Sequence, residues 1–189
     1  MPKPLSIYPR SMDDRRVEMD FGRKLLLEAI EAARADNCAS SGGGWSTAQI
    51  GYHLHLSESS VTRMLVKLLA SGERRKVATE ERLIEEWERL RNLVGRRTTR
   101  MQAPPRVVPD AAPEIDEVLR LLADSRRELI EFLVRTDAGS LASIEAVHPL
   151  KPVGTLAGPS WLSMIAFHEL RHCKQIRARS DLEASTGKW

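Results

Sequence analysis

Near the carboxyl end of the chain, Trp161 to Arg179 contains the stretch Phe167-His168-Glu169-Leu170-Arg171-His172-Cys173-Lys174-Gln175-Ile176. Residues three and four apart lie on the same face of an α-helix. One such stripe holds, in order, Trp161, Ile165, His168, His172 and Gln175. Because the stripe begins with large apolar side chains, we expect it to face the core of the protein and to carry both imidazoles there.

Two inward histidines one turn apart need a partner, because a buried polar group without a hydrogen bond is costly. A metal ion bound by both rings is the simplest partner, since neutral imidazole is a common metal ligand. In the competing interpretation, one histidine faces solvent and the other forms hydrogen bonds within the protein. That interpretation suits a lone histidine better than this pair, so we favour a metal site.

The 189 residues (21.2 kDa) suit a single domain with its own hydrophobic core. A net charge of +3 favours no class of partner. No segment approaches the roughly 20 apolar residues of a membrane span, and residues 1–16 show no signal-peptide pattern. Cys38 and Cys173 lack metal or redox spacing. We therefore expect a reduced, cytoplasmic protein without membrane attachment.

Helical periodicity predicts four long helices. They run from Ser11 to Asp36, from Ser46 to Gly72, from Ile115 to Thr136, and from Pro159 onward. A capping box of Ser46 and Gln49 marks the start of the second helix. Pro159 suits the first turn of the last helix, where its missing N–H costs nothing.

The segments between these helices are predicted to be less regular. Thr79 to Val94 has the pattern of an amphipathic accessory helix, and residues 95–113, with four prolines, form a long connection. Residues 137–158 are predicted to form loops, with a short turn of helix around Leu141 to Glu145. No segment alternates with a period of two, so we expect no sheet.

We therefore predict an all-α fold, a four-helix bundle with an accessory helix between core helices 2 and 3. The bundle is expected to occupy residues 11–180 as one domain, with flexible termini at residues 1–10 and 181–189.

His53 lies on the apolar stripe of the second helix, with Ser57 one turn later. His55 points to another side of that helix and is expected at the surface. We expect His53 to face His168 and His172 across the core. Three nitrogen ligands leave a fourth position open for water or substrate, which is typical of catalytic sites.

Short motifs in a fixed order extend this picture. They are Trp45-Ser46, His53-Leu54 with Glu58, His148-Pro149, Gly154, Leu156, Trp161-Leu162, His168-Glu169, Arg171-His172 and Gln175-Ile176. In this order they resemble the DinB-like family of metal-binding four-helix bundles, over roughly Asp13 to Arg179. The segment 73–113 is not explained by these motifs.

The resemblance implies an up-and-down bundle that binds zinc, nickel or another divalent ion through His53, His168 and His172. It also implies a homodimer and, as in some relatives, a thiol-dependent transferase or isomerase with a small-molecule thiol cofactor.

The residues allow a metal-dependent enzyme that activates a thiol or a water for a small-molecule substrate. An all-nitrogen site suits zinc, nickel, iron or copper, and the residues do not choose among them. The resemblance favours zinc or nickel, with iron or manganese as alternatives. Glu169 is a candidate catalytic base, or a carboxylate that supports a ligand or lies on the surface. Gln175, Ser57 and His148 are candidates to support a ligand or contact the substrate.

A metalloprotease is one alternative, because residues 168–172 match the H-E-x-x-H motif, in which two histidines bind zinc and the glutamate acts as base. The match is short. No sheet is predicted to bind a peptide before the helix, and no G-x-x-H follows to supply a third ligand.

A DNA-binding helix-turn-helix within residues 47–72 is the second alternative, with Ser59, Ser60 and Arg63 contacting DNA. The position of the turn holds Leu54-His55-Leu56 without a glycine, which favours a continuous helix. This alternative also leaves His168 and His172 unexplained, so we do not expect nucleic-acid binding.

Overall fold

The computed structural model describes residues 7–35, 44–96 and 101–186, and within them the chain is mostly helical. Its α-helices are α1 (Met12–Ala35), α2 (Thr47–Ala70), α3 (Glu80–Leu90), α4 (Ile115–Val134), α5 (Ala138–Ala142) and α6 (Gly158–Thr186). The predicted all-α bundle is therefore confirmed. The segment between the first two predicted helices, with Cys38, lies almost wholly outside the described residues.

The helix starts follow the signals in the sequence. The Ser11 hydroxyl accepts a hydrogen bond from the backbone N–H of Asp14 at the start of α1. At α2 the capping box forms in full, because Ser46 accepts from the Gln49 N–H and the Gln49 side chain accepts from the Ser46 N–H. Pro159 lies in the first turn of α6, as predicted.

Contacts along the long helices fix their directions. Arg15 and Arg23 of α1 bond Ser163 and Glu169 of α6, in that order, so these two helices run parallel. In the second pair, His55 of α2 contacts the carbonyl of Leu121 in α4. About one turn later in both helices, the Ser125 hydroxyl of α4 donates to the Glu58 carboxylate of α2. These two helices also run parallel.

Within α2, Gly51 lies against Ile30 of α1, and Glu58 pairs with Arg23 of α1. From Gly51 to Glu58 the residue number increases in α2, while that of the contacted residue in α1 decreases from Ile30 to Arg23. The two helices are therefore antiparallel. The strict alternation of an up-and-down bundle therefore does not hold between α2 and α4. Both helices start at the same end of the bundle, so residues 71–114 have to cross its whole length.

This crossover accounts for the accessory helix. α3 packs along α6, where Trp87 contacts Phe167 at 5.6 Å between ring centroids. A π-helical turn, Arg91–Gly95, ends α3, and the ammonium of Lys174 donates to the Gly95 carbonyl at 2.8 Å. A short 3-10 turn, Pro105–Val107, then passes over α2.

The prediction that the chain contains no sheet is wrong. β1 (Glu145–Val147) pairs with the antiparallel strand β2 (Thr155–Ala157), and Gly154 enters β2 with a φ of +74° that favours glycine. Strands of three residues are too short to show a period of two. The predicted turn of helix forms slightly earlier, as α5.

Two groups of apolar side chains form the core. One lies around Phe167 and Leu129, toward the end of the bundle that carries the β1–β2 hairpin (the hairpin end), and the other lies around Ile30 and Leu122, toward the opposite end. In the part of the chain that the structure describes, no helix is both long and apolar enough to span a membrane.

Candidate metal centre

Three histidine side chains meet between α2 and α6. The Nε2 atom of His168 lies 3.2 Å from Nε2 of His53 and 3.1 Å from Nε2 of His172. The three rings stand at 69° to 86° to one another, and their ligand atoms lie within 4.8 Å of one another. The structure thus brings together the three histidines that the sequence predicted to face one another.

Fixed acceptors determine which ring nitrogens carry protons. His53 donates from Nδ1 to the backbone carbonyl of Val107 at 2.6 Å, and His172 donates from Nδ1 to Oε1 of Gln175 at 3.0 Å. In a neutral imidazole with a proton on Nδ1, Nε2 carries a lone pair. The Nε2 atoms of His53 and His172 therefore both present lone pairs toward His168.

Burial favours the neutral form of two of these rings, those of His53 and His168. It lowers the pKa of His53 below its usual value, although the Val107 carbonyl acts in the opposite direction. Burial, followed by the neighbouring His172 and His53, places the pKa of His168 well below its usual range. One proton on His168 Nε2 can serve only one of the two facing lone pairs well, so the cluster has a surplus of acceptors.

A metal ion fits this donor set. Zinc–nitrogen bonds of about 2.0–2.1 Å in tetrahedral geometry separate two ligand atoms by roughly 3.3 Å. The separations of 3.2 and 3.1 Å are close to that value, and all three ligand atoms lie within 4.8 Å of one another. His53 and His172 are buried, whereas His168 remains partly exposed.

Glu169 points into a different cluster. Its Oε1 atom accepts from Nε of Arg23 at 2.7 Å and from Nη2 of Arg126 at 3.0 Å. The same two guanidiniums bind Glu58 at 2.7 Å each. We call Arg23, Glu58, Arg126 and Glu169 the ion-pair cluster. It joins all four long helices, and its two positive and two negative charges balance.

Opposing effects act on the carboxylates of the ion-pair cluster. Burial tends to raise the pKa of Glu58, but Arg23 and Arg126 outweigh it and hold that pKa below its usual value. For Glu169 burial prevails and the pKa is raised, while both guanidiniums oppose it. Glu169 is thus placed to hold the helices together, and its bonds direct it toward Arg23 and Arg126.

The remaining candidates differ in their positions relative to the histidine cluster, which is formed by His53, His168 and His172. Gln175 contacts His172 directly. His148 stacks on Trp161, which precedes His168 by about two turns of α6. Ser57 has a buried hydroxyl with no hydrogen-bond partner in the described ranges. His55, expected at the surface, is half-buried, and its Nδ1 donates to the Leu121 carbonyl.

The structure decides against both alternatives. α2 is continuous from Thr47 to Ala70, including residues 54–56, so the helix-turn-helix interpretation is wrong. The H-E-x-x-H match does place both histidines in one cluster, but Oε1 of Glu169, the residue that a metalloprotease would use as base, is bound by Arg23 and Arg126, and Oε2 is buried.

Two features of the site were missed from the sequence. The Val107 carbonyl fixes His53, but a backbone acceptor in a proline-rich connection leaves no trace in residue type. Arg23 and Arg126 lie on amphipathic helices, where a charged side chain ordinarily faces solvent. The available signal was the position of Arg23. It lies between Met19 and Leu26 on the helical stripe that faces the core.

The amino-acid sequence also matches a known protein family. A sequence model described as the DinB superfamily matches residues 18–176, which include all three histidines and every helix from α1 to α6 at least in part. No curated protein and no solved structure gives a significant match.

Proposed function

Because the chain belongs to the DinB superfamily, we propose that it binds a divalent transition-metal ion through His53, His168 and His172 and thereby activates a small-molecule thiol or a water. The convergence of three Nε2 atoms, two of which carry lone pairs fixed by Val107 and Gln175, is the observation that supports this proposal.

Zinc and nickel are the ions we expect first, because an all-imidazole site suits both. An ion held by three nitrogens keeps a coordination position free and lowers the pKa of a thiol or water placed there. A transferase, an isomerase or a hydrolase acting on a small molecule would use such a position.

The residues of this chain supply the rest of the site. Val107 and Gln175 hold the ligand rings in one tautomer and orientation, as second hydrogen bonds to metal-bound histidines usually do. Trp45 packs against His53 at 4.8 Å between ring centroids and shields one side from water. The partly exposed His168 leaves an approach for a small molecule.

Cobalt substitution tests the metal and the thiol together. We expect Co²⁺-loaded protein to show the visible absorption of a low-coordinate nitrogen site, and a thiolate-to-cobalt charge-transfer band after addition of propane-1-thiol. His168→Ala should remove both signals. His55→Ala, which changes a histidine of the same region outside the cluster, should retain them.

Absence of the visible bands in protein that is folded by circular dichroism would refute the metal site. Visible bands without a charge-transfer band for any small thiol would leave activation of water as the function.

A further inference from the structure

Beyond the three histidines, the region between α2 and α6 holds polar side chains that the fold does not satisfy. Trp161 is 3% exposed, and its indole N–H has no hydrogen-bond acceptor among the described residues. The buried hydroxyl of Ser57 is also without a partner in residues 7–35, 44–96 and 101–186. Because unmatched buried polar groups are costly, both indicate a place that a ligand completes.

The helix directions place these two groups on the same side of the histidine cluster. α2 is antiparallel to α1, and α1 is parallel to α6, so α2 and α6 are antiparallel. Ser57 follows His53 by one turn on the helical stripe, and Trp161 precedes His168 by two turns on its stripe. Both therefore lie toward the hairpin end of the bundle.

His148 adds a second N–H to this place. Its ring stacks on Trp161 with 5.3 Å between centroids and 23° between planes, and the residue is 9% exposed. The backbone N–H of Leu150 donates to Nδ1 of His148 at 3.1 Å. A backbone N–H cannot accept, so the neutral ring must carry its proton on Nε2. His148 thus carries a hydrogen-bond donor, Nε2–H, on the ring that stacks on Trp161.

We propose that Trp161, His148 and Ser57 form a subsite that binds the carboxylate of the small molecule whose other end reaches the histidine cluster. The indole and the imidazole can each donate one hydrogen bond, which matches the two oxygens of a carboxylate. None of the three donors is charged, which suits a singly charged carboxylate better than a phosphate. The assignment names the substrate class and rests on the proposed function for the thiol end.

The spacing sets the length of that molecule. At 1.5 Å per residue, Ser57 lies roughly 6 Å along α2 from His53, and Trp161 roughly 10 Å along α6 from His168. A thiol bound at the histidine cluster therefore needs a chain of several atoms between its sulfur and its carboxylate. 6-Mercaptohexanoate has a comparable extended length.

Indole N–H resonances test the subsite without a metal and without turnover. We would record nitrogen–proton spectra of tryptophan-labelled protein during titration with hexanoate, and assign the Trp161 signal with Trp161→Phe. Hexanoate should move the Trp161 proton downfield, and hexan-1-amine, of equal length and opposite charge, should not. Trp87, whose N–H already donates to Glu18 at 2.7 Å, is the internal control.

Variants then measure the donors. Trp161→Phe and His148→Phe keep an aromatic ring at each position and remove one N–H. Each should weaken hexanoate binding about 10–100-fold, as expected when a hydrogen bond to a charged group is lost. An unchanged affinity in both folded variants would overturn the proposal.

The outcomes for the two ends are separable. If cobalt-loaded protein binds propane-1-thiol but hexanoate never moves the Trp161 signal, the subsite is wrong and the proposed function stands. If hexanoate moves the signal in protein that takes up no metal, the subsite stands and the proposed function fails. If the cobalt-loaded protein binds 6-mercaptohexanoate more tightly than 6-mercaptohexanol, that result would support both the subsite and the proposed function.

Discussion

His168 and Glu169 are adjacent in the chain, yet they belong to two polar clusters of opposite character. In the ion-pair cluster, Glu169 shares two guanidiniums with Glu58, and the charges cancel within the protein. In the histidine cluster, the facing lone pairs of His53 and His172 exceed the protons available to them. Both clusters are held in the same layer of the bundle by the same helix.

The two clusters differ in what faces their polar groups. In the ion-pair cluster, the guanidiniums of Arg23 and Arg126 face the carboxylates of Glu58 and Glu169, and these ion pairs connect the four long helices. In the histidine cluster, ring nitrogens face one another in an arrangement that could hold a metal ion. Two adjacent residues of α6 thus belong to a set of ion pairs between helices and to the proposed metal site.

Of the changes to the two clusters, removal of a ligand histidine should have the largest effect. We expect His53→Ala, His168→Ala and His172→Ala each to reduce bound zinc from near one ion per chain to near zero, because two imidazoles hold the ion much less firmly than three. Elemental analysis of the purified variants measures this. The His55→Ala control should keep its zinc, and retention of zinc by all three variants would contradict the ligand assignment.

Breaking the ion-pair cluster should reduce stability instead. Glu58→Gln leaves both guanidiniums without one buried partner, and we expect the free energy of unfolding to fall by about 3–5 kcal/mol. Asp20→Asn, which removes an exposed partner of Arg126 at 3.5 Å, should cost less than about 1 kcal/mol. Denaturant unfolding measures both, and equal losses in the two variants would refute the structural role.

The support of a ligand ring should have a smaller effect. Gln175→Leu removes the acceptor that fixes His172, and we expect zinc affinity to fall about 10–100-fold while the fold is retained. Competition with a chromophoric chelator measures the affinity. Gln102→Leu, at an exposed position of the crossover, is the matched control and should leave it unchanged.

Acid should affect the ion-pair cluster through Glu58. Its pKa lies below the ordinary value of 4.5, because the two guanidiniums outweigh burial. A lowered pKa in the folded state contributes stability above the ordinary value, and that contribution is lost as the pH falls through the folded pKa. The free energy of unfolding should therefore decrease as the pH is lowered below about 4.5.

Glu58→Gln lacks this titrating group, so its stability should depend less on pH in the same range. Parallel curves for the two proteins, measured by denaturant unfolding at each pH, would show that Glu58 is not the group responsible.

Much of this arrangement could be predicted from the sequence, because helices impose a regular period on it. The stripes carrying His53 and the pair at 168 and 172 predicted the bundle and the cluster. The direction of α4 could not be predicted, since a helix has the same periodicity whichever way it runs. The short hairpin and the Val107 carbonyl also leave no periodic pattern. The homodimer, the cytoplasmic location and the identity of the ion stay predictions.

X-ray absorption at the zinc edge of the reconstituted protein would show the ligands of the proposed three-histidine site themselves. We expect one zinc per chain with three imidazole nitrogens at about 2.0–2.1 Å and one further light-atom ligand. Addition of a small thiol should replace that ligand with a sulfur at about 2.3 Å. A zinc shell without imidazole scattering, or no bound zinc in folded protein, would contradict the proposed site.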